Sequence, residues 1–374
     1  MTGGIVAILG PQMPPPRILL DCRWLNSGGA GRVTELLLRG LASQSGDETW
    51  VLWGRPDVEA LSWPGAEVAV ERLDPRTWNG QRNWFDMPKS DFTVFLHQQR
   101  PLRAVPAATY MHDTIPLHFA SGNLDRSMKR LFLRRVAAIS TPVFAPSEYS
   151  RRSICADLGV APERVTVMKM AGDAQMAGRV AELRRALPGE PFALYLGLFL
   201  PHKNLERLIE AFGVTRFCSE GGRLLLMGGS PTEQKALAAR LTPAQREYIQ
   251  TRPFGSQHEV ESLLATCRFL VQPSLEEGFG LPAWEALCSG VPVCASDGGS
   301  LPEITQGFAD EFPARSVDKM AEALDACATR AESVTPEVAE QASKAFLRSA
   351  PSVEDMAAQL RDVVLNSAAI QGRT

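Results

Sequence analysis

Val271-Gln-Pro-Ser-Leu-Glu-Glu-Gly-Phe-Gly-Leu-Pro-Ala-Trp-Glu-Ala-Leu-Cys-Ser-Gly-Val-Pro-Val-Cys-Ala-Ser296 is the stretch on which the reading of this chain turns. Arg268 to Gln272 form a short apolar run suited to a buried strand, and the glycine-containing segment after it reads as a loop. Pro282 sits where a first helical turn tolerates it, Ala283 to Cys288 continue as helix, and Gly290 supplies a left-handed stop. A second apolar strand follows over Val291 to Ala295. In this strand, loop, helix, strand unit the backbone N–H groups around Gly280, Leu281 and Ala283 open a helix, which makes a site for phosphate. Glycines at 278 and 280 let a ligand approach the main chain. Two carboxylates flank the site: Glu277 in the loop, and Glu285, placed in the first helical turn. A pair of carboxylates accepts hydrogen bonds from a hydroxyl-rich ligand such as a ribose and a hexose. Singly, each has a plainer reading, Glu285 as complement to the helix dipole and Glu277 as a solvated loop residue.

The combination is more specific than its parts. Glu-Gly-Phe-Gly-Leu-Pro-x-x-Glu-Ala-x-x-x-Gly-x-Pro-Val-x-x-Ser, Glu277 to Ser296, resembles the signature of retaining glycosyltransferase family four. Those nucleotide-sugar enzymes have the GT-B fold, two Rossmann-like α/β domains facing across a cleft. The resemblance implies that Glu277 holds the transferred sugar and Glu285 the ribose hydroxyls, with Gly278, Phe279, Gly280 and Leu281 lining sugar and pyrophosphate.

At 374 residues the chain is long for one core, and its 45% hydrophobic content is enough for two domains. No apolar run reaches the roughly 18 residues of a membrane-spanning helix. The opening Met1 to Pro16 has an apolar piece, Ile5 to Leu9, without a basic residue before it, and reads as a loose extension rather than a signal peptide. Seven scattered cysteines without metal-ligand spacing read as reduced residues of a cytoplasmic protein. Net charge is −3, yet Met1–Arg185 carries 23 Lys+Arg against 18 Asp+Glu and Ala186–Thr374 carries 16 against 24. A basic first half and an acidic second half suit different partners.

Arg17 to Trp24 is a buried-strand pattern, and Gly28-Gly29-Ala30-Gly31 reads as a loop into a helix from Arg32 to Ala42. This is not the Gly-x-Gly-x-x-Gly fingerprint, and by itself the signal is weak. The family resemblance places Gly28, Gly29 and Gly31 against the donor from across the cleft, with Arg32 as a helper cation. Further strands are expected at Thr49–Trp53, Ala66–Val70, Phe92–Leu96 and Ala107–Met111. The last ends in His112-Asp113-Thr114-Ile115-Pro116, and a strand end in an open α/β sheet is where ligands bind. His is the side chain suited to exchange a proton near neutral pH, although a lone His is more often structural. The resemblance ties His112 to the donor sugar and to catalysis.

Asn123 to Ala138 is a helix with apolar Met128, Leu131, Phe132 and Val136 against basic Arg126, Lys129, Arg130, Arg134 and Arg135. Such a helix can lie on anionic lipid, and the plainer reading is a solvated face. Thr141–Ala145 is a strand, and Ser147 caps a helix to Leu158 whose opening Ser-Glu-Tyr-Ser also resembles the family. After a helix over Arg179–Leu187, Pro188-Gly189-Glu190-Pro191 reads as an interdomain linker. Strands at Phe192–Gly197 and Arg223–Met227 then alternate with helices to Phe212, over Thr232–Leu241 and over Glu259–Thr266, as in a parallel sheet covered on both faces. Lys203 stands just before a helix start, where a cation suggests a bound anion, and the resemblance assigns it to the pyrophosphate. Relatives carry an Arg soon after the strand-end glycine. Here Leu198 follows Gly197, so charge neutralisation rests on Lys203, helped by His202 or Arg32. Phe254, followed by Gly255, stands where relatives hold the base.

These readings give domains at 1–187 (acceptor side) and 188–350 (nucleotide-sugar side), with a last helix in 351–374 crossing back to the first domain. The expected function is retaining transfer of a hexosyl group, of mannosyl or glucosyl type, from a nucleoside diphosphate sugar to an acceptor hydroxyl in polysaccharide or glycolipid assembly. His112, Lys203 and Glu277 are the candidate catalytic residues. No metal and no cofactor is expected, since the sequence lacks an Asp-x-Asp loop and a His/Cys cluster. The acceptor is a saccharide or a lipid-linked one, nucleic acid is not a partner, and the location is cytoplasmic, with peripheral contact at the inner face of the membrane through Asn123–Ala138. A nucleotide-sugar epimerase of the same fold and a catalytically silent sugar-nucleotide binder are the rivals.

Overall fold

The computed structural model describes residues 14–25, 28–54, 56–70, 87–102 and 104–371; the Ile5–Leu9 piece lies outside them. The first lobe runs β1 Arg17–Asp21, α1 Gly28–Ala42, β2 Thr49–Gly54, β3 Glu67–Val70, β4 Phe92–Phe95, β5 Ala107–Tyr110, α2 Ile115–His118, α3 Asn123–Ala138, β6 Val143–Ala145, α4 Glu148–Leu158 and β7 Val165–Val167. After α5 Ala174–Ala186 come β8 Phe192–Leu196, α6 Leu205–Gly213, α7 Arg216–Ser219, β9 Arg223–Met227, α8 Pro231–Arg240, α9 Pro243–Tyr248, β10 Ile249–Arg252 and α10 Gln257–Thr266. The chain continues with β11 Phe269–Gln272, α11 Leu281–Cys288, β12 Val293–Ser296, α12 Leu301–Thr305, β13 Asp310–Phe312, α13 Val317–Ala331, α14 Pro336–Ser349 and α15 Val353–Gln371.

Among the described residues, seven strands form one sheet in the order β3-β2-β1-β4-β5-β6-β7, and six form the other as β10-β9-β8-β11-β12-β13. Pairing is parallel throughout. The central strands are buried on both faces, as Ile18, Leu19 and Leu20 in β1 and Ala193, Leu194 and Tyr195 in β8 show, which is why they read as continuous apolar runs. Strand order reverses between β1 and β4 and between β8 and β11. Ligands of such sheets bind beyond the carboxyl ends at these switch points.

Three expectations need correction. Gly28 to Gly31 are not a loop but the first turn of α1; the following Arg32–Ala42 pattern propagates backward because glycine tolerates either conformation. The helix before Pro188 does not end the first domain. Instead α5 packs on α10 and α14 of the second lobe, with Arg179 on Glu261 (2.7 Å) and Arg184 donating to the Ser289 carbonyl (3.0 Å). Pro188–Pro191 is therefore a loop inside that lobe, where Glu190 N–H meets the Thr266 carbonyl at 2.8 Å. The chain crosses at Gly172, whose N–H donates to the Pro351 carbonyl (2.9 Å), so both crossings lie side by side. Finally, α3 buries Leu133, Val136 and Ala137, while Met128 and Leu131 face outward with Leu124.

Beyond Pro351, α15 lies against α1. Met356, Ala357, Leu360 and Val364 are buried there, Gln44 donates to the Glu354 carbonyl (2.9 Å), and Arg361 pairs with Glu48 (2.9 Å).

Candidate active site between the lobes

The β8/β11 switch point brings Lys203 and Glu277 together. Lys203 ends a short 3-10 turn, Pro201–Lys203, after which Asn204 takes a left-handed conformation (φ 61°). Asn204 is buried and donates to the carbonyls of Pro273 (2.9 Å) and Ala314 (2.7 Å), and Leu275 N–H meets the His202 carbonyl at 2.7 Å. The loop after β8 is thus tied to the loop after β11. Glu277 Oε1 accepts from Lys203 Nζ (2.7 Å), Gln272 Nε2 (2.6 Å) and Ser274 Oγ (2.6 Å). Burial alone would raise its pKa, but the adjacent ammonium and hydroxyl outweigh it and hold Glu277 below the ordinary carboxylate value. Its charge is retained inside the protein.

Gly280 caps α11 with φ +92°, a conformation that glycine adopts without penalty. At Gly278 the limit is space, because a Cβ would stand 2.6 Å from the His112 carbonyl oxygen of the first lobe. Its carbonyl accepts from Ser147 Oγ (2.7 Å) and Ser150 Oγ (2.9 Å) at the start of α4. His112, beyond β5, is thereby placed beside the Glu277–Gly278 loop. Its Nε2 lies 3.1 Å from the Leu96 carbonyl, which can only accept, so that nitrogen carries the proton and Nδ1 holds the lone pair. Burial lowers its pKa to about 4, making it a neutral imidazole at pH 7. Asp113, partly buried beside Glu277, is pushed up to about 6.

Glu285 lies just past the first turn of α11, which begins at Leu281, one residue before Pro282, rather than within that turn as the spacing suggested. Arg32 reaches it from α1: Nε to Glu285 Oε1 is 3.0 Å, and the same guanidinium holds Asp173 and Glu35. Burial raises the Glu285 pKa against the opposing pull of Arg32. Arg32 thus sits on the carboxylate that the resemblance reserves for ribose. Gly29 faces Leu281 across the seam, its missing Cβ 3.9 Å from the Leu281 side chain, whereas nothing approaches Gly28; Gly31 is buried in α1. The Phe279 ring packs edge-on against Trp284 (5.2 Å between centroids). Phe254 is 52% exposed beyond β10. His202 is driven down to about 4, by burial first and then by Lys203, and stays neutral. It therefore adds no cation to the site. Among the described residues no group of three or more His, Cys, Asp or Glu could hold a metal ion.

Several seam residues carry no sequence signal. Glu303 accepts from the N–H groups of Glu148 (2.8 Å) and Tyr149 (3.1 Å) at the start of α4. Glu276 accepts from Tyr149 Oη (2.8 Å) and is met by His118, and Asp173 binds Arg32. Each partner lies more than a hundred residues away, beyond the reach of any local pattern.

The profile of the family described as "Glycosyl transferases group 1" matches residues 184–327, from α5 through most of α13 and including Lys203, Glu277 and Glu285. The likeness to that family lies in the second lobe. Among curated proteins, the chain is 31% identical over 173 residues to O-antigen chain mannosyltransferase B of Escherichia coli, covering 43% of this chain and 45% of that protein. It is 32% identical over 179 residues to the MMP alpha-(1->4)-mannosyltransferase of Mycolicibacterium hassiacum, covering 46% and 40%. The chain thus spans less than half the length of these curated relatives. Among solved structures, Anabaena HepE in complex with UDP and glucose superposes with a TM-score of 0.69 at 17% identity, covering 94% of this chain and 100% of that one. The fold of both lobes is therefore that of the GT-B glycosyltransferases.

Proposed function

We propose that this protein transfers a hexosyl group, of mannosyl or glucosyl type, from a nucleoside diphosphate sugar to an acceptor hydroxyl with retention, in polysaccharide or glycolipid assembly. The observation that carries the reading is the buried, ionised Glu277 on Lys203, set against His112 of the other lobe. In this reading the arriving diphosphate draws the Lys203 ammonium, which stabilises the charge that grows on the leaving group together with the first N–H groups of α11. Glu277, with Gln272 and Ser274 still donating to it, then accepts from sugar hydroxyls. Neutral His112 accepts from a sugar hydroxyl through Nδ1. Glu285 takes the ribose once Arg32 releases it, and Arg32 remains near enough to serve the diphosphate. Phe254 faces the base. The mannosyltransferase names of the curated relatives support a mannosyl donor.

The test incubates the protein with mannose and glucose nucleoside diphosphates, with and without saccharide and lipid-linked acceptors. Product configuration is read by NMR. Retained configuration in an acceptor-dependent product is expected. An altered sugar from donor alone would mean an epimerase, and binding without turnover a silent binder. The same assay run in EDTA should keep its rate, because Lys203 and a helix start do the charge work without a divalent ion; loss with rescue by Mg²⁺ would refute that part.

The lipid-linked acceptor draws support from α3. Leu124, Met128 and Leu131 are 76%, 65% and 72% exposed on one face, with Arg130, Arg134 and Arg135 exposed around them. No helix among the described residues is long and apolar enough to cross a membrane, and we place the protein in the cytoplasm, peripheral at the inner membrane face. Each basic residue near an anionic surface contributes about 1 kcal/mol. Changing Lys129, Arg130 and Arg134 to Gln should therefore weaken sedimentation with anionic vesicles by roughly a hundredfold. Wild-type protein that ignores such vesicles would dispose of the contact.

A further inference from the structure

His118, at the end of α2, is held on both sides by carboxylates from different parts of the molecule. Its Nδ1 stands 2.8 Å from both Oε1 and Oε2 of Glu276, in the loop after β11, and its Nε2 stands 2.9 Å from Asp157 Oδ2 on α4. A neutral imidazole has one N–H and one lone pair, and a lone pair facing a carboxylate oxygen at hydrogen-bond distance is repelled. Both nitrogens can be satisfied only in the imidazolium form. The charged ring therefore joins the second-lobe loop that carries Glu276 and Glu277 to the first lobe.

We propose that His118 is a positioning residue, a proton-dependent strap that holds the Glu276–Gly278 loop against the first lobe and releases it when the ring loses its proton. The strap stands on geometry alone and holds whatever group the protein transfers.

The surroundings agree in sign. Burial lowers the His118 pKa, but the hydrogen bond and charge of Glu276, followed by those of Asp157, outweigh it and leave the value above the ordinary 6.5. A group with a raised folded pKa contributes its stabilisation in full below about 6.5 and loses it as pH rises through the raised value. The strap is thus fully made below about pH 6.5 and is lost as pH rises through the raised value above it. Every element against His118 supplies a charged or titratable group. Asp157 and Tyr149 come from α4, Arg126 from α3 (its Nε donates to the Leu117 carbonyl, 3.0 Å), and Asp113 from the turn before α2. Glu276 and Glu277 come from the second-lobe loop, and His202 with Lys203 from the turn after β8, the His202 ring lying 5.4 Å from that of Phe119. Tyr149 is pushed up to about 12, by burial and then by Glu276, and His202 down to about 4, so neither changes charge between pH 6.5 and 9. Asp113, raised to about 6, gives up most of its proton before that range is far advanced. The other bonds along the seam use the Ser147 and Ser150 hydroxyls, the α4 peptide groups under Glu303 and the Arg32 guanidinium.

Small-angle scattering of the full chain between pH 6.5 and 9 tests this. The radius of gyration of the wild type should rise across the range. His118→Gln, which cannot carry the charge, should show the larger value at both ends. His118→Arg, charged throughout, should keep the smaller value at both ends. A rise in His118→Gln that matches the wild type, or a wild type without any rise, would overturn the strap. A rise in His118→Arg would do so as well, by assigning the response to another group such as Asp113.

Discussion

Ending the chain at Pro351 should leave a first lobe that does not fold. Three of the side chains this removes, Met356, Leu360 and Val364, are at most 1% exposed against α1 and its neighbours. Each contributes about 1.5–3 kcal/mol when fully buried, so the loss is about 5–9 kcal/mol, comparable with the whole stability of a typical domain. The Arg361–Glu48 pair and the Gln44 contact go with them. The second lobe keeps its six strands, α5 and α14. Hydrogen exchange should accordingly show protected amides in β8 to β12 and none in β1, β2 and β4. Wild-type protection of the first-lobe strands in the truncated protein would show that α15 is dispensable.

Lys203→Ala should lower kcat by roughly 10²- to 10³-fold, the loss typical of one donor that meets the charge of a transition state. In the proposed arrangement donor affinity should suffer less, since Glu285 and Phe254 are untouched. The variant also removes the cation from a carboxylate that is itself 6% exposed, and breaking such a buried pair costs about 3–5 kcal/mol. A direction with pH follows. Glu277 has a depressed folded pKa, so its contribution to stability is present above the unfolded carboxylate value and is lost as pH falls through the folded one. In Lys203→Ala that contribution shrinks, and the advantage of the wild type should be largest at pH 6–8 and fade toward pH 3. Stopped-flow turnover and thermal melts at these pH values check both parts. Unchanged kcat together with an unchanged melting point would remove Lys203 from the site.

Residues with a local cause were legible. The buried central strands β1, β8 and β11 announce themselves as apolar runs, and the start of α11 follows from Gly280 and Pro282. Ser147 does cap α4, accepting from Ser150 N–H. Of the four edge strands only β3 was legible, as the Ala66–Val70 run. Three-residue β7 and β13, and Ile249-Gln-Thr-Arg252 with its exposed polar positions, bury too little to impose a pattern on the sequence. The two carboxylates of the site stood out because a loop and a helix fix their spacing, and Lys203 because a cation at a helix start is locally unfavourable. What Arg32, His118 and Glu303 hold depends on how two lobes meet, and neither composition nor period encodes that. The misplaced domain boundary has the same origin. Pro188–Pro191 looks like a linker by its residues, yet contacts between α5 and α10 decide which lobe the preceding helix joins.

The side-by-side crossings at Gly172 and Pro351 have a consequence for biosynthesis. The apolar face of α1 leaves the ribosome long before its cover, which arrives with α15; Gln44 and its partner Glu354 are 310 positions apart. At about 5–20 residues per second that interval is roughly 15–60 s. Through it the second lobe can complete its sheet, while the first lobe, although translated earlier, waits with an uncovered helix. Vectorial synthesis is thus inverted in this molecule: the half made first is the half finished last, and it is the half that a chaperone would have to shield.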